Sequence, residues 1–242
     1  MSKVILITGS NSSIGYELVR LLAEQGHVVY LGARNEVAGK EAEGTLHRRG
    51  LTNVKYIFID VTIPDSIERA KEIIEKAEGK LDVLVNNAAI ARADVSNQSA
   101  SVIAVDVIRD VYNTNVFGLI QTTTTFIPLL RKSSLPIILN VSSGLGSSTL
   151  QSRPGTRAKF VAYQSSKAAV NSYTVSLAQE LRGEGFKVNA VTPGMVASKL
   201  NNFIAGGKTL EEGAKALVPY ALLGADGPTG KFFNWEGQEV PW

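Results

Sequence analysis

Lys3-Val4-Ile5-Leu6-Ile7-Thr8-Gly9-Ser10-Asn11-Ser12-Ser13-Ile14-Gly15 is the stretch whose reading decides the fold. Its first half is a short apolar, β-branched run, the pattern of a strand buried on both faces. A tight glycine-containing turn follows, and then an apolar stripe at helical spacing, Leu18, Leu21, Leu22 and Ala23. A second strand pattern, His27 to Ala33, completes a βαβ unit. Strand, glycine turn and helix together form the setting in which main-chain N–H groups at a helix N-terminus bind a pyrophosphate.

The same alternation continues along the chain. Strand patterns fall near residues 3–8, 27–33, 53–60, 81–86, 135–142, 186–192 and 230–234, with long helical patterns near 104–132 and 158–184. Seven strands alternating with helices predict a Rossmann-like, doubly wound parallel sheet with helices on both faces. No repeat, low-complexity tract or linker divides the chain, so residues 1–242 are expected to form one domain. Ligands of such sheets bind at the carboxyl ends of the strands. The weakly periodic stretch 195–223, with Gly206-Gly207, follows the sixth strand and is placed to act as a lid.

Composition narrows the function classes. The chain has 242 residues, 44% hydrophobic, with a formal net charge of +3 and no cysteine. Disulfides and thiol chemistry are excluded, and a cytoplasmic home is expected. Basic residues are scattered apart from Arg153, Arg157 and Lys159, so no basic stripe suggests nucleic acid. No apolar run is long enough for a membrane span. With two histidines, His27 and His47, on scaffold elements and no cysteine, no metal site is expected.

Chemistry concentrates in Ala162-Tyr163-Gln164-Ser165-Ser166-Lys167. Four residues apart on a helix, the phenol and the ammonium share a face. A nearby positive charge favours the phenolate and lowers its pKa from about 10.

With these features the chain resembles the short-chain dehydrogenase/reductase family over nearly its whole length. Thr8-Gly9-x-x-x-Ser13-Ile14-Gly15 is similar to the family's TGxxxGIG, and Asn86-Asn87-Ala88-Ala89 to its NNAG. Asn115, Asn140-Val141-Ser142-Ser143, Tyr163-x-x-x-Lys167 and Pro193-Gly194 match further family motifs in order. Gly32-Ala33-Arg34-Asn35 and the stretch from Gly227 to Trp242 look most like monomer-type carbonyl reductases. The wider family mostly forms dimers or tetramers, so the expectation here is a monomer or homodimer.

The resemblance implies a catalytic set of Asn115, Ser143, Tyr163 and Lys167. Tyr163 would donate a proton and Ser143 would hold the carbonyl oxygen, as the second serine of its pair. Lys167 would bind the nicotinamide ribose and lower the Tyr163 pKa, and Asn115 would hold a water linking Lys167 to solvent. It implies cofactor contacts from Gly9, Ser10, Asn11, Ser13, Ile14, Gly15, Asp60, Val61, Asn87, Ala88, Pro193, Gly194 and Val196, with Tyr163 and Lys167 also touching the cofactor. Arg34 stands nineteen residues beyond Gly15, where an acid would bind the ribose diol of NAD. A guanidinium there suits a 2′-phosphate, so the expected cofactor is NADP(H).

Two departures from the family pattern stand out, Ser13 for the middle glycine and Ala89 for the last glycine of NNAG. Ser13 is expected at negative φ, with its hydroxyl donating to a phosphate. Ala91, Arg92, Leu145, Met195, Phe203 and Trp235 are the candidate substrate-pocket residues. The expected activity is NADPH-dependent reduction of an aldehyde or ketone to an alcohol. Alternatives are a dehydratase or biosynthetic cyclase on the same fold, or a non-catalytic NADPH-sensing regulator.

Overall fold

The computed structural model describes residues 2–156 and 160–242. Arg157 and Lys159 of the basic trio lie outside the described residues. In chain order the strands and helices are β1 (Val4–Ile7), α1 (Ser13–Glu24), β2 (Val28–Ala33), α2 (Glu36–Arg48), β3 (Val54–Phe58), α3 (Pro64–Glu78), β4 (Val83–Asn86), α4 (Val105–Tyr112), α5 (Leu119–Leu130), β5 (Ile137–Val141), α6 (Ser148–Gln151), α7 (Val161–Glu180), β6 (Lys187–Val191), α8 (Leu210–Lys215), α9 (Val218–Ala221) and β7 (Phe232–Phe233). The seven strands form one parallel sheet in the order β3-β2-β1-β4-β5-β6-β7. The order reverses beside β1, which puts the ligand crevice between the ends of β1 and β4.

Period-two alternation sends successive residues of each strand into two cores. Ile5, Ile7, Val29, Leu31, Val83, Val85, Ile137 and Leu139 pack with α1, α2, α8 and α9. Val4, Leu6, Leu84, Ile138 and Val188 pack with α3, α5 and α7. Of the predicted α1 stripe, Leu18, Leu22 and Ala23 are buried and Leu21 is partly buried, and Ile67, Ala70 and Ile74 on α3 are buried as well. Local signals set the helix ends. The Asn35 side chain accepts from Ala38 N at 2.9 Å to cap α2, and Pro64 starts α3, which stops at Gly79 with φ 73°.

The helical pattern near 104–132 is interrupted by a π-helical segment at Asn113–Gly118, between α4 and α5. Residues 195–223 divide in two. Ala214, Leu217, Tyr220 and Ala221 are buried in the α1 core, whereas Asn202, Phe203, Ile204, Ala205 and Gly206 are exposed. No helix among the described residues is long and apolar enough to cross a membrane.

Candidate active site

On the nucleotide side, the turn between β1 and α1 lies against the segment that follows β4. A Cβ on Gly9 (φ +62°) would come within 2.8 Å of the Ala88 Cα. One on Gly15 would come within 2.6 Å of Asn87 Nδ2 and 2.8 Å of the Ser10 Cα. Both glycines are therefore required by main-chain approach. Asn87 ties the two segments together, its Nδ2 donating to Thr8 O (2.9 Å) and Gly9 O (3.0 Å), while Thr8 Oγ1 accepts from the Asn87 and Ala88 amides. The N-terminal turn of α1 offers N–H groups that lack intrahelical acceptors, and the Ser12 side chain does not cap them. Such a cradle fits a pyrophosphate.

Ser10 departs from expectation. It is 0% exposed, its hydroxyl donates to Ile7 O at 2.8 Å, and its amide donates to Gly32 O at 2.9 Å. With both donors engaged inside, Ser10 shapes the turn and offers neither to a ligand.

Ser13 also departs. Its φ is +55°, in the left-handed region, against the negative value expected from its place at the head of a helix. A left-handed conformation suits the glycine found at that position in the family pattern.

Farther along the crevice, Arg34 is exposed at the end of β2. Asp60 does not point freely outward: its Oδ1 accepts from the Thr62 amide (2.9 Å) and hydroxyl (2.7 Å). Val61 is buried against Gly118, where a Cβ would meet Val61 Cγ2 at 2.8 Å, and Gln121 donates to the Val61 carbonyl. Asn11 and Ile14 are partly buried in the β1–α1 turn. On the other side, Gly194 has φ +81° and lies under the Trp235 ring, 2.9 Å from where its Cβ would be. Lys208 Nζ is 5.2 Å from the Trp235 ring centroid. Pro193 and Val196 are buried, and the Lys208 amide donates to Met195 O at 2.8 Å, closing this edge.

The other side of the site rests on α7, whose first turns carry Tyr163 and Lys167. Both are buried, at 9% and 3% exposure. Lys167 Nζ lies 5.6 Å from the Tyr163 ring centroid and donates to Val141 O at 2.8 Å. Burial dominates both groups. It pushes the Tyr163 phenol up to about 12, with the Ser143 hydroxyl pulling the other way. It pushes the Lys167 ammonium down to about 8. Burial thus sets the phenol's pKa in this structure, above its ordinary value rather than below it, and the effect expected of Lys167 is not among its causes.

Of the paired serines, Ser142 points away. Its Oγ donates to Asn171 Oδ1 at 2.6 Å, inside α7. Ser143 is the one facing Tyr163, and its Oγ also accepts from the Leu145 amide at 3.2 Å. Gly146 lets the next turn lie directly on α7, since a Cβ there would sit 2.7 Å from the Lys167 main chain.

Asn115 lies within the π-helical segment, 1% exposed. Its Oδ1 accepts from Ile90 N (2.8 Å), and its Nδ2 donates to Ile90 O (2.9 Å) and Ser166 Oγ (3.0 Å). The side chain thus joins α7 to the segment after β4. Both ends of the amide are engaged in this link.

A buried amide network beneath the site joins the first residues of two motifs, Asn86 and Asn140, to threonines outside them. Asn86 Nδ2 donates to Asn140 Oδ1 (2.8 Å) and Thr123 Oγ1 (2.9 Å), and Asn140 Nδ2 donates to Thr174 Oγ1 (2.8 Å). It fixes β4, β5, α5 and α7 relative to one another. Polar residues at fully buried strand positions, Asn86 and Asn140, are the sequence signal that points to it.

Among the pocket candidates, Arg92 is held by ion pairs to Asp94 (3.1 Å) and Asp110, which keep its guanidinium strongly protonated. Met195, Phe203 and Trp235 are exposed apolar side chains. No cluster of metal-ligating side chains occurs among the described residues.

Comparison with known proteins agrees with the fold. The short chain dehydrogenase family profile matches residues 3–208. A short-chain dehydrogenase/reductase of Aspergillus fumigatus is 30% identical over 100% of this chain and 98% of its own. Salutaridine reductase from Papaver somniferum superposes with a TM-score of 0.83 at 29% identity, covering 96% of this chain and 99% of its own. The NADPH-bound carbonyl reductase from chicken fatty liver superposes with a TM-score of 0.87 at 26% identity, covering 100% of this chain and 99% of its own. The protein belongs to the short-chain dehydrogenase family.

Proposed function

We propose that this protein reduces an aldehyde or ketone to the alcohol at the expense of NADPH, with Tyr163 as the general acid. The observation that carries the reading is the buried group at the β5–α7 junction: a buried Tyr163 phenol on the side of Ser143, with Lys167 Nζ 5.6 Å from its ring centroid. A phenol held at about 12 stays protonated through the neutral range, as a proton donor must.

NADPH, when bound, supplies a hydride to the carbonyl carbon. Negative charge then develops on the carbonyl oxygen. The Ser143 hydroxyl donates to that oxygen, and Tyr163 delivers its proton there. Lys167, anchored on Val141 O, holds positive charge beside the phenol and is placed to bind the nicotinamide ribose. Asn115 is the residue that would hold the water returning a proton toward Lys167.

The cradle made by Gly9, Gly15 and the start of α1 fits the pyrophosphate, and exposed Arg34 fits the 2′-phosphate. The NADPH-bound chicken reductase supports the same cofactor. Asn87 and Ala88 line the nicotinamide-side edge, opposite Pro193, Gly194 and Val196. The substrate is apolar where it meets Met195, Phe203 and Trp235, and the stretch 195–223 acts as its lid through its exposed residues 202–206. Asn202 and Phe203 both have left-handed φ, at 53° and 54°, which stores strain in that lid.

The test is NADPH oxidation by the purified protein against a panel of aldehydes and ketones. The reading expects carbonyl-dependent turnover, with apolar ketones preferred over charged ones. Tight NADPH binding without turnover across the panel overturns it in favour of a sensing role.

A further inference from the structure

Ser143 and Tyr163 come from different elements, yet their hydroxyls must meet at one oxygen. The nineteen residues between them hold a short helix, α6, whose last residue is Gln151. Its amide group reaches both sides. Gln151 Nε2 donates to Gly144 O at 3.2 Å, on the residue after Ser143. Gln151 Oε1 accepts from Gln164 Nε2 at 2.9 Å, on the residue after Tyr163. One side chain therefore ties together the main-chain segment carrying Ser143 and the helix carrying Tyr163.

A four-residue helix cannot hold itself in place. Here α6 is fastened from outside. Ser147, 0% exposed, caps it by accepting from Leu150 N at 3.1 Å and donates its own hydroxyl to Pro241 O at 2.6 Å. The Thr149 amide donates to Trp242 O at 3.1 Å. The Trp242 ring stacks on Phe232 of β7, with centroids 5.6 Å apart, and covers a cleft of about 340 Å³ bounded by Gly146, Ala168 and Asn171. Residues 241–242 thus link the sheet edge to the helix that bears Gln151.

We propose that Gln151 is a positioning residue for the Ser143–Tyr163 pair, and that Pro241 and Trp242 hold its helix in register. The inference rests on the reductase reading for its kinetic consequence, but not for its structural one. Misplacing either hydroxyl by a fraction of an ångström weakens proton delivery and oxygen binding together. It leaves the nucleotide cradle, on β1 and α1, untouched.

The experiment compares Gln151→Met, Gln151→Glu and Trp242→Ala with the wild type. Met keeps the length and removes both hydrogen bonds. Glu keeps the acceptor for Gln164 and loses the donor to Gly144. Gln151→Met is expected to lower kcat about tenfold with carbonyl KM and NADPH Kd within twofold, and Gln151→Glu about threefold. Trp242→Ala is expected to follow Gln151→Met. A second readout needs no turnover: amide hydrogen exchange at Leu145 and Gly146 should quicken at least tenfold in Gln151→Met, with the centre of α7 unchanged. Unchanged exchange at those two amides overturns the proposal, whether or not the wild type reduces any carbonyl. A kcat within twofold of wild type, or a loss of NADPH affinity equal to the loss of rate, also overturns it. If the wild type fails to turn over while exchange quickens as expected, the reductase reading falls and the positioning claim stands.

Discussion

Around Gly9 and Gly15 the walls of the site are main chain; around Tyr163 and Lys167 they are buried side chains. On the first side, a Cβ on either glycine would lie under 3 Å from its neighbours, so only glycine fits, and the donors belong to the start of a helix. On the second, a phenol, an ammonium and three amides are enclosed within β4, β5, α5 and α7, each held by named partners. A site made of backbone tolerates changes in side chains but not in Cβ atoms. A site made of buried polar groups has functional groups whose protonation is set by desolvation, at a cost in stability.

The largest expected effect breaks the second side alone. Tyr163→Phe keeps the ring and its packing and removes the proton. Turnover should fall ~10²–10⁴-fold, while calorimetric titration shows NADPH affinity close to wild type. A weakened cofactor site in this variant would mean that the two sides are not separable.

Next in size is a change on the first side. Arg34→Asp should erode or reverse the preference of NADPH over NADH. That preference is expected to be at least about tenfold in kcat/KM, since a hydrogen bond to a charged group is worth about 1.5–3 kcal/mol. Steady-state kinetics with both cofactors measures it, and equal use of both by the wild type counts against the role of Arg34.

Lys167 sharpens the stability side of the contrast. Its folded-state pKa, about 8, lies below the value near 10.5 of an unfolded lysine. Between those two pH values the unfolded chain binds more protons, so stability rises with pH there. Below about 8 the charged form is buried at full cost. In cofactor-free protein, Lys167→Met should therefore raise the unfolding free energy at pH 7 by on the order of 2 kcal/mol, and the gap should narrow toward pH 10. Denaturant unfolding of both proteins at the two pH values checks the sign. Activity should be lost in the same variant.

The smallest effect belongs to Ser13. A serine at φ +55° carries strain that glycine does not. Ser13→Gly should stabilise the fold by about 1 kcal/mol, read as an increase in the denaturant midpoint. If it destabilises the protein instead, the left-handed conformation is held by a compensating contact of the serine.

The difference between the two sides also explains what the sequence can reveal. Glycines at fixed spacing report backbone geometry directly, so the β1–α1 turn, the alternation of strands and helices and the motif that holds Asn87 are legible in the chain. Tyr163 and Lys167 are legible as residue types, because four-residue spacing places them on one face. Their protonation is not, since it depends on how deeply α7 buries them, and that is a tertiary property. The π-helical segment around Asn115 leaves no mark on the hydrophobic period. The left-handed Ser13 is hidden because a serine at the head of a helix ordinarily takes negative φ. The burial of Ala214, Leu217 and Tyr220 is hidden for a related reason: two short helices carry too few turns to show a stripe.

The central claim is that hydride reaches a carbonyl carbon in this site. It is tested most directly with NADPH deuterated at both C4 positions and a ketone that the protein accepts. The product alcohol should carry one deuterium on its carbinol carbon, in one stereochemical sense, and Tyr163→Phe should form it at least a hundredfold more slowly. An alcohol without deuterium at that carbon, or a product in which the carbonyl persists, would contradict the account.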